Sequence, residues 1–306
     1  MSKTFLAAAY LLCWLSTSAQ IENKQVFSLG VMSPSEIEAN VREDDFLADF
    51  KLVGGLIFVQ GVHDGEEASY ILDTGAPGLI LNNKIDKENY DDAYIASGLT
   101  GNTSIAEFTI EEFKILNITK SDFRAYQMDL GHIEDEILHQ FAGLVGGDLF
   151  DNTILLLDYP NRKWGTVKSL APFKVKHSIP FTQEEHFIIV QVEIAGESMR
   201  MILDTGAEIS ILDLHASKLL RKSVLKDAGS TSIQSASRNN TSTNNVNVHK
   251  FKIQNLQVKN HEFSVLNFDF INEGLDKKLD GLIGFPFFEG KKIAFDFTSE
   301  MIYIIK

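Results

Sequence analysis

The chain has 306 residues, 44% of them hydrophobic, enough to bury a substantial core in one large or two smaller domains. Its formal net charge of −14 disfavours nucleic acid or anionic lipid as a partner recognised by charge. A single cysteine, Cys13, excludes a disulfide framework.

Residues Met1–Ala19 carry one early positive charge, Lys3, then the apolar run Phe5–Leu15 and the small residues Ser16–Ala19. That run is too short to span a bilayer, so the segment reads as a removable secretory signal, with the mature chain starting at Gln20 in a secreted or periplasmic setting. Cys13 lies inside it, so the mature protein would hold no thiol, which leans towards bacterial export. No later stretch is long and charge-free enough to cross a membrane, and no membrane insertion is expected after signal removal.

Residues Gln20–Asp49 are acidic, with Glu36, Glu38, Glu43, Asp44 and Asp45 close together. They read as a leader, an exposed arm or an added edge strand. From Phe50 onward, short runs rich in β-branched and aromatic residues alternate with turns: Leu56–Val62, His63–Glu66, then Ser69–Leu72. This predicts a hairpin leading into Asp73-Thr74-Gly75-Ala76. Helical spacing is confined to short stretches such as His132–Gln140 and Asp213–Lys222. Pro172 marks a junction near Ser169–Ser178, after which Phe187–Ile194 and Met199–Leu203 repeat the hairpin into Asp204-Thr205-Gly206-Ala207. The expected organisation is a signal over 1–19, an acidic segment over 20–49, and two lobes over 50–168 and 169–306.

The two halves are copies. An offset of 131 holds from Phe50/Phe181 through Ile57/Ile188 to Asp73/Asp204, and an offset of 138 aligns Phe113-Lys114-Ile115 with Phe251-Lys252-Ile253 and Gly143–Gly146 with Gly281–Gly284. The second copy therefore gains seven residues, placed in the Asn/Ser/Thr-rich run Ser230–Asn247. Duplication with this patterning predicts a mostly β chain: two pseudo-symmetric, partly closed barrels with a few short helices.

An acidic residue followed by a hydroxyl residue and glycine, in a tight turn after an apolar strand, sets one carboxyl at a defined point with its backbone accessible. Two such turns across a pseudo-dyad bring two carboxyls together, where both cannot stay ionised and one proton is shared. That state suits amide hydrolysis: the ionised member takes a proton from a water while the protonated member donates to the scissile carbonyl. No metal or cofactor is needed.

Asp73-Thr74-Gly75-Ala76 and Asp204-Thr205-Gly206-Ala207, with Leu144-Val145-Gly146 and Leu282-Ile283-Gly284, resemble the active-site turn and second signature of aspartic proteases. Alanine after the glycine is closer to retroviral-type members than to pepsins. The resemblance runs from about Phe50 to the C-terminus and implies a single-chain, acid-protease-like version of the retroviral dimer. It implies Asp73 and Asp204 as the catalytic pair, Thr74 and Thr205 bonded across the lobes, and Gly75 and Gly206 admitting backbone groups to the carboxyls, with Ala76 and Ala207 completing the turns. Pro77 and Glu208 break the symmetry next to them, so Glu208 is a candidate for substrate contact. Family members close a flap over the substrate; here that role would fall to about Tyr94–Ser104, with Gly98 and Gly101 as flexible points, and to Ser230–Asn247. The implied protein is a monomer that acts on a polypeptide substrate. The competing class is a binding module that captures peptides on this fold without cutting them.

His132, Asp135, Glu136 and His139 have helical spacing but read as a solvated face rather than a metal site. Asp158 and Asp296 end apolar strands and read as structural. Asn102, Asn117 and Asn240 lie in glycosylation sequons.

Overall fold

The computed structural model describes residues 4–6, 47–83, 94–98, 101–220, 224–234, 240–273 and 275–306. Most of the segment read as a signal and nearly all of the acidic segment lie outside them. Thr4–Leu6 forms a strand parallel to Ser232–Gln234.

Each copy closes into a six-stranded barrel. In the first lobe the ring runs Leu56–His63, Glu66–Asp73, Gly143–Gly146, Leu79–Asn82, Ile118–Met128 and Gly101–Ile115, and closes where Val62 and His63 pair with Lys114 and Phe113. The second lobe repeats it as Phe187–Ile194, Glu197–Leu203, Gly281–Ile283, Ile211–Asp213, Leu256–Leu266 and Asn240–Ile253, closed by Val192 and Glu193 on Ile253 and Lys252. The mostly β, two-lobed architecture expected from the duplication is what forms.

Backbone conformation repeats with the sequence. Left-handed residues recur at matched positions: Asp64 and Ala195, Leu116 and Gln254, Asp122 and Asn260, Arg162 and Glu300. Asp64-Gly65 and Ala195-Gly196 both have two successive positive φ angles, the requirement of the two-residue hairpin turn that suits twisted strands.

Leu56-Ile57-Phe58-Val59 is an unbroken apolar run because its strand is covered on both faces. Successive side chains point to opposite sides, so Ile57 and Val59 enter the main core while Leu56 and Phe58 enter a smaller cluster with Ile71, Ala76, Ile80 and Leu144. The mirror cluster in the second lobe gathers Phe187, Ile189, Ile202, Ala207, Ile211 and Leu282, each the duplicate of its counterpart. Ala76 and Ala207, at the ends of the two Asp-Thr-Gly-Ala turns, thus each anchor to a small private core.

A third sheet joins the lobes. Its order is Val175–Pro180, Met301–Ile305, Lys292–Asp296, Ile154–Asp158, Lys163–Val167 and Ala48–Asp49, three strands from each half. At its centre Leu156 pairs with Ala294, its own duplicate, which puts the pseudo-dyad through that pair. Asp158 accepts from Asn161 and faces Lys292, and Asp296 accepts from Ser299 N, so both brace turns of this sheet.

Short helices span Gly131–Ile137 and Leu214–Leu219; in the second the Asp213 carboxylate caps the start by accepting from His215 N and Ala216 N. Gly147–Phe150, Asp269–Asn272 and Phe285–Phe288 add single turns too short to show helical periodicity in sequence. Among the described residues no helix is long and apolar enough to cross a membrane.

Candidate active site

Asp73 ends the strand Glu66–Asp73, and Asp204 directly follows the strand Glu197–Leu203. Thr74 N donates to Thr205 Oγ1 at 3.0 Å and Thr205 N donates to Thr74 Oγ1 at 3.0 Å. Each hydroxyl then donates across the lobes, Thr74 to Leu203 O at 3.2 Å and Thr205 to Leu72 O at 2.9 Å. All four partners are buried. All four bonds cross between the lobes, so the two turns hold each other.

That lock brings the two carboxyls together, each set against the glycine of the opposite turn. Gly75 N donates to Asp73 Oδ1 at 2.9 Å and Gly206 N donates to Asp204 Oδ1 at 2.7 Å, which leaves each Oδ2 buried without a protein donor. A Cβ on Gly75 would lie 2.7 Å from Asp204 Cγ, and one on Gly206 would fall on the Asp73 carboxyl. Glycine is required at both positions because the opposite lobe's carboxyl occupies the space.

Burial pushes both carboxyls above the usual carboxylate range, and for Asp73 the charge of Asp204 adds to the rise. Two buried carboxyls this close cannot both stay ionised, so the pair holds one proton between them. A buried acid and a buried base are thereby set side by side.

The second-signature glycines pass beneath the turns. A Cβ on Gly146 would strike Ala76 O, and one on Gly284 would strike Ala207 O and Ile209 O. The staples beside them differ. In the first lobe Gly78 N donates to the Asp148 carboxylate at 2.8 and 2.9 Å. Burial raises the Asp148 pKa to about 6. In the second lobe Gly284 N donates to Ser210 Oγ at 3.0 Å, and Ser210 Oγ lies 2.7 Å from His261 Nε2. Leu79 and Phe123 hold the matching positions in the first copy. Sequence reasoning passed over these residues; comparing the copies for polar-against-apolar mismatches would have exposed them.

Glu208 stands where the lobes meet: a Cβ on Gly54 would strike Glu208 Oε1, and one on Gly55 would lie 2.9 Å from the Phe285 ring. The duplicates of Gly55 and Phe285 are His186 and Gly147, so bulky and small partners are exchanged between the two sides. His186 is 5% exposed, and burial lowers its pKa to about 3.

Gly98 pairs with Gly101 at the end of a hairpin, Tyr94–Gly98 with Gly101–Ile105, in the segment expected to act as a flap. The longer polar run forms the second hairpin, Leu225–Gln234 with Asn240–Val248. His139 packs edge-on against Phe58. Among the described residues no three His, Cys, Asp or Glu side chains are grouped to hold a metal.

Residues 190–287, which include Asp204-Thr205-Gly206-Ala207 and Leu282-Ile283-Gly284, match the family described as aspartyl protease. No curated protein matches the chain.

Proposed function

We propose that the chain is an aspartic protease of retropepsin type, a reading supported by the aspartyl protease match over residues 190–287, and that Asp73 and Asp204 form one peptidase site acting on extended polypeptides. The supporting observation is the reciprocal Thr74/Thr205 lock, which seats the two carboxyls in contact. Asp204 is the general base that takes a proton from a water held between the pair. Asp73, protonated, donates to the scissile carbonyl oxygen, and a tetrahedral gem-diol forms without a covalent bond to the enzyme. Collapse of that intermediate passes a proton to the leaving nitrogen. Substrate would lie between the lobes as an added strand under the two flap hairpins, with Glu208 and Gly98 on its path. Both half-sites belong to one chain, so a monomer suffices. Export to a secreted or periplasmic setting follows from the N-terminal segment as read above, and N-terminal sequencing of exported protein tests it.

A second reading, peptide capture without cleavage, draws on the seclusion of the pair, 0% and 1% exposed. The deciding experiment is cleavage of a denatured protein library from about pH 3 to 7 by the chain and by its Asp73→Asn and Asp204→Asn variants. Cleavage lost in both variants supports the peptidase; peptide binding with no cleavage in any form supports capture.

A further inference from the structure

Tyr159 is a buried phenol that the mechanism above does not use. It is 3% exposed, and its hydroxyl has no hydrogen-bond partner. The ring is fixed on three sides, by Phe50 at 5.9 Å, Phe288 stacked at 5.7 Å and Phe285 at 6.1 Å between centroids. An unpaired buried hydroxyl costs roughly 1–3 kcal/mol, and phenylalanine would fill the same space without that cost. Its duplicate, 138 residues on, is indeed phenylalanine, Phe297.

The pseudo-dyad shows where the extra oxygen points. The Cζ end of Phe297 lies against Gly147, 3.3 Å from where a Cβ there would stand, and that same point is 3.6 Å from Thr74 Cα. Phe297 therefore ends beneath the Asp73-Thr74-Gly75 turn. The mirror image of Gly147 is Phe285, which Tyr159 does contact, so the pseudo-dyad directs the end of Tyr159 towards the Asp204-Thr205-Gly206 turn. Consistent with that placement, burial and the charge of Asp204 both raise the phenol pKa. Other charges on the surrounding elements are engaged elsewhere: Asp49 with Lys163, Asp158 with Lys292 and Asn161, and Lys291 with the Phe287 carbonyl.

We propose that Tyr159 is a positioning residue that breaks the symmetry of the carboxyl pair, its hydroxyl dipole favouring the negative charge on Asp204 and so assigning base to Asp204 and acid to Asp73. Phe297 offers no such dipole to Asp73. The inference rests on the reading that the pair shares one proton, and it makes a directional statement about the two ionisations. The hydroxyl stabilises the singly and doubly ionised pair alike, because Asp204 is charged in both. It therefore lowers the first ionisation and leaves the second unchanged.

The test is a carboxyl-carbon NMR titration of 13C-aspartate-labelled full chain, with the two signals assigned by Asp73→Asn and Asp204→Asn. Tyr159→Phe is expected to raise the lower apparent pKa of the pair, with the upper one unmoved. Phe297→Tyr, which puts a hydroxyl under Asp73, should lower the upper one instead. A merely structural role would change thermal stability and leave both values in place. Equal shifts of both pKa values, or none in Tyr159→Phe, would overturn the proposal. Absence of peptidase activity would sink the proposed function and leave this titration readable.

Discussion

Replacing Thr74 by valine keeps the shape of the side chain and removes its hydroxyl from the lobe interface. Two hydrogen bonds go with it, the one accepted from Thr205 N at 3.0 Å and the one donated to Leu203 O at 3.2 Å. Both stranded groups belong to the second lobe and are buried, and each unpaired group costs about 1–3 kcal/mol. The expected loss is about 3 kcal/mol, roughly 6–10 °C in midpoint. Thr205→Val strands Thr74 N and Leu72 O by the same logic and should cost the same. Because the four bonds are distinct, the double variant should lose about twice as much, while Thr74→Ser should retain most of the stability. Urea unfolding of the five proteins at one pH measures this. A loss under 1 kcal/mol in Thr74→Val would refute the claim that the threonines hold the lobes together, as would a double variant no worse than either single.

Three further outcomes follow from buried titratable groups and tight glycines. Asp148 has a folded pKa of about 6, above its ordinary 3.8, so its favourable contribution is complete below the unfolded value and is lost as pH rises through 6. Asp148→Asn should therefore stabilise the protein at pH 7 by up to about 3 kcal/mol and leave it unchanged near pH 3.5, as thermal melts at the two pH values would show. His186 is depressed instead, from 6.5 to about 3, so its neutral form is favoured on folding and stability is lost as pH falls below 6.5. His186→Phe should gain about 2–3 kcal/mol at pH 4.5 relative to the parent, with a much smaller change at pH 8. Gly206→Ala pushes a methyl onto the Asp73 carboxyl and should cut kcat at least about 100-fold, more than Gly75→Ala, where the methyl would stand 2.7 Å from Asp204 Cγ. Retention of full turnover by Gly206→Ala would show that the carboxyls are not held in contact.

The parts of the fold legible in sequence are those that were copied. The offsets of 131 and 138 carry the barrel strands, the paired turns and the centre of the joining sheet, since Leu156 meets Ala294 only if the second offset is right. The lock was legible only through the resemblance to aspartic proteases, which implies Thr74 and Thr205 bonded across the lobes. What escaped notice are the places where the copies part company. Tyr159 against Phe297, His186 against Gly55, Ser210 against Leu79 and Asp148 against Pro286 are single substitutions, and each gains meaning only from groups distant in the chain. Helical turns such as Phe285–Phe288 are shorter than one period of any pattern and are set by packing against the joining sheet and the turn Gly54-Gly55.

The pairing of Asp73 and Asp204 around one water is tested most directly with a non-cleavable peptide that carries a secondary alcohol where the scissile amide would be. Such a hydroxyl takes the place of the attacking water between the carboxyls. The account predicts that the intact chain binds this peptide at least about 100-fold more tightly than the matching amide, and that Asp73→Asn and Asp204→Asn each abolish the difference. Equal affinity for alcohol and amide in the intact chain, or a preference that survives either substitution, would contradict it.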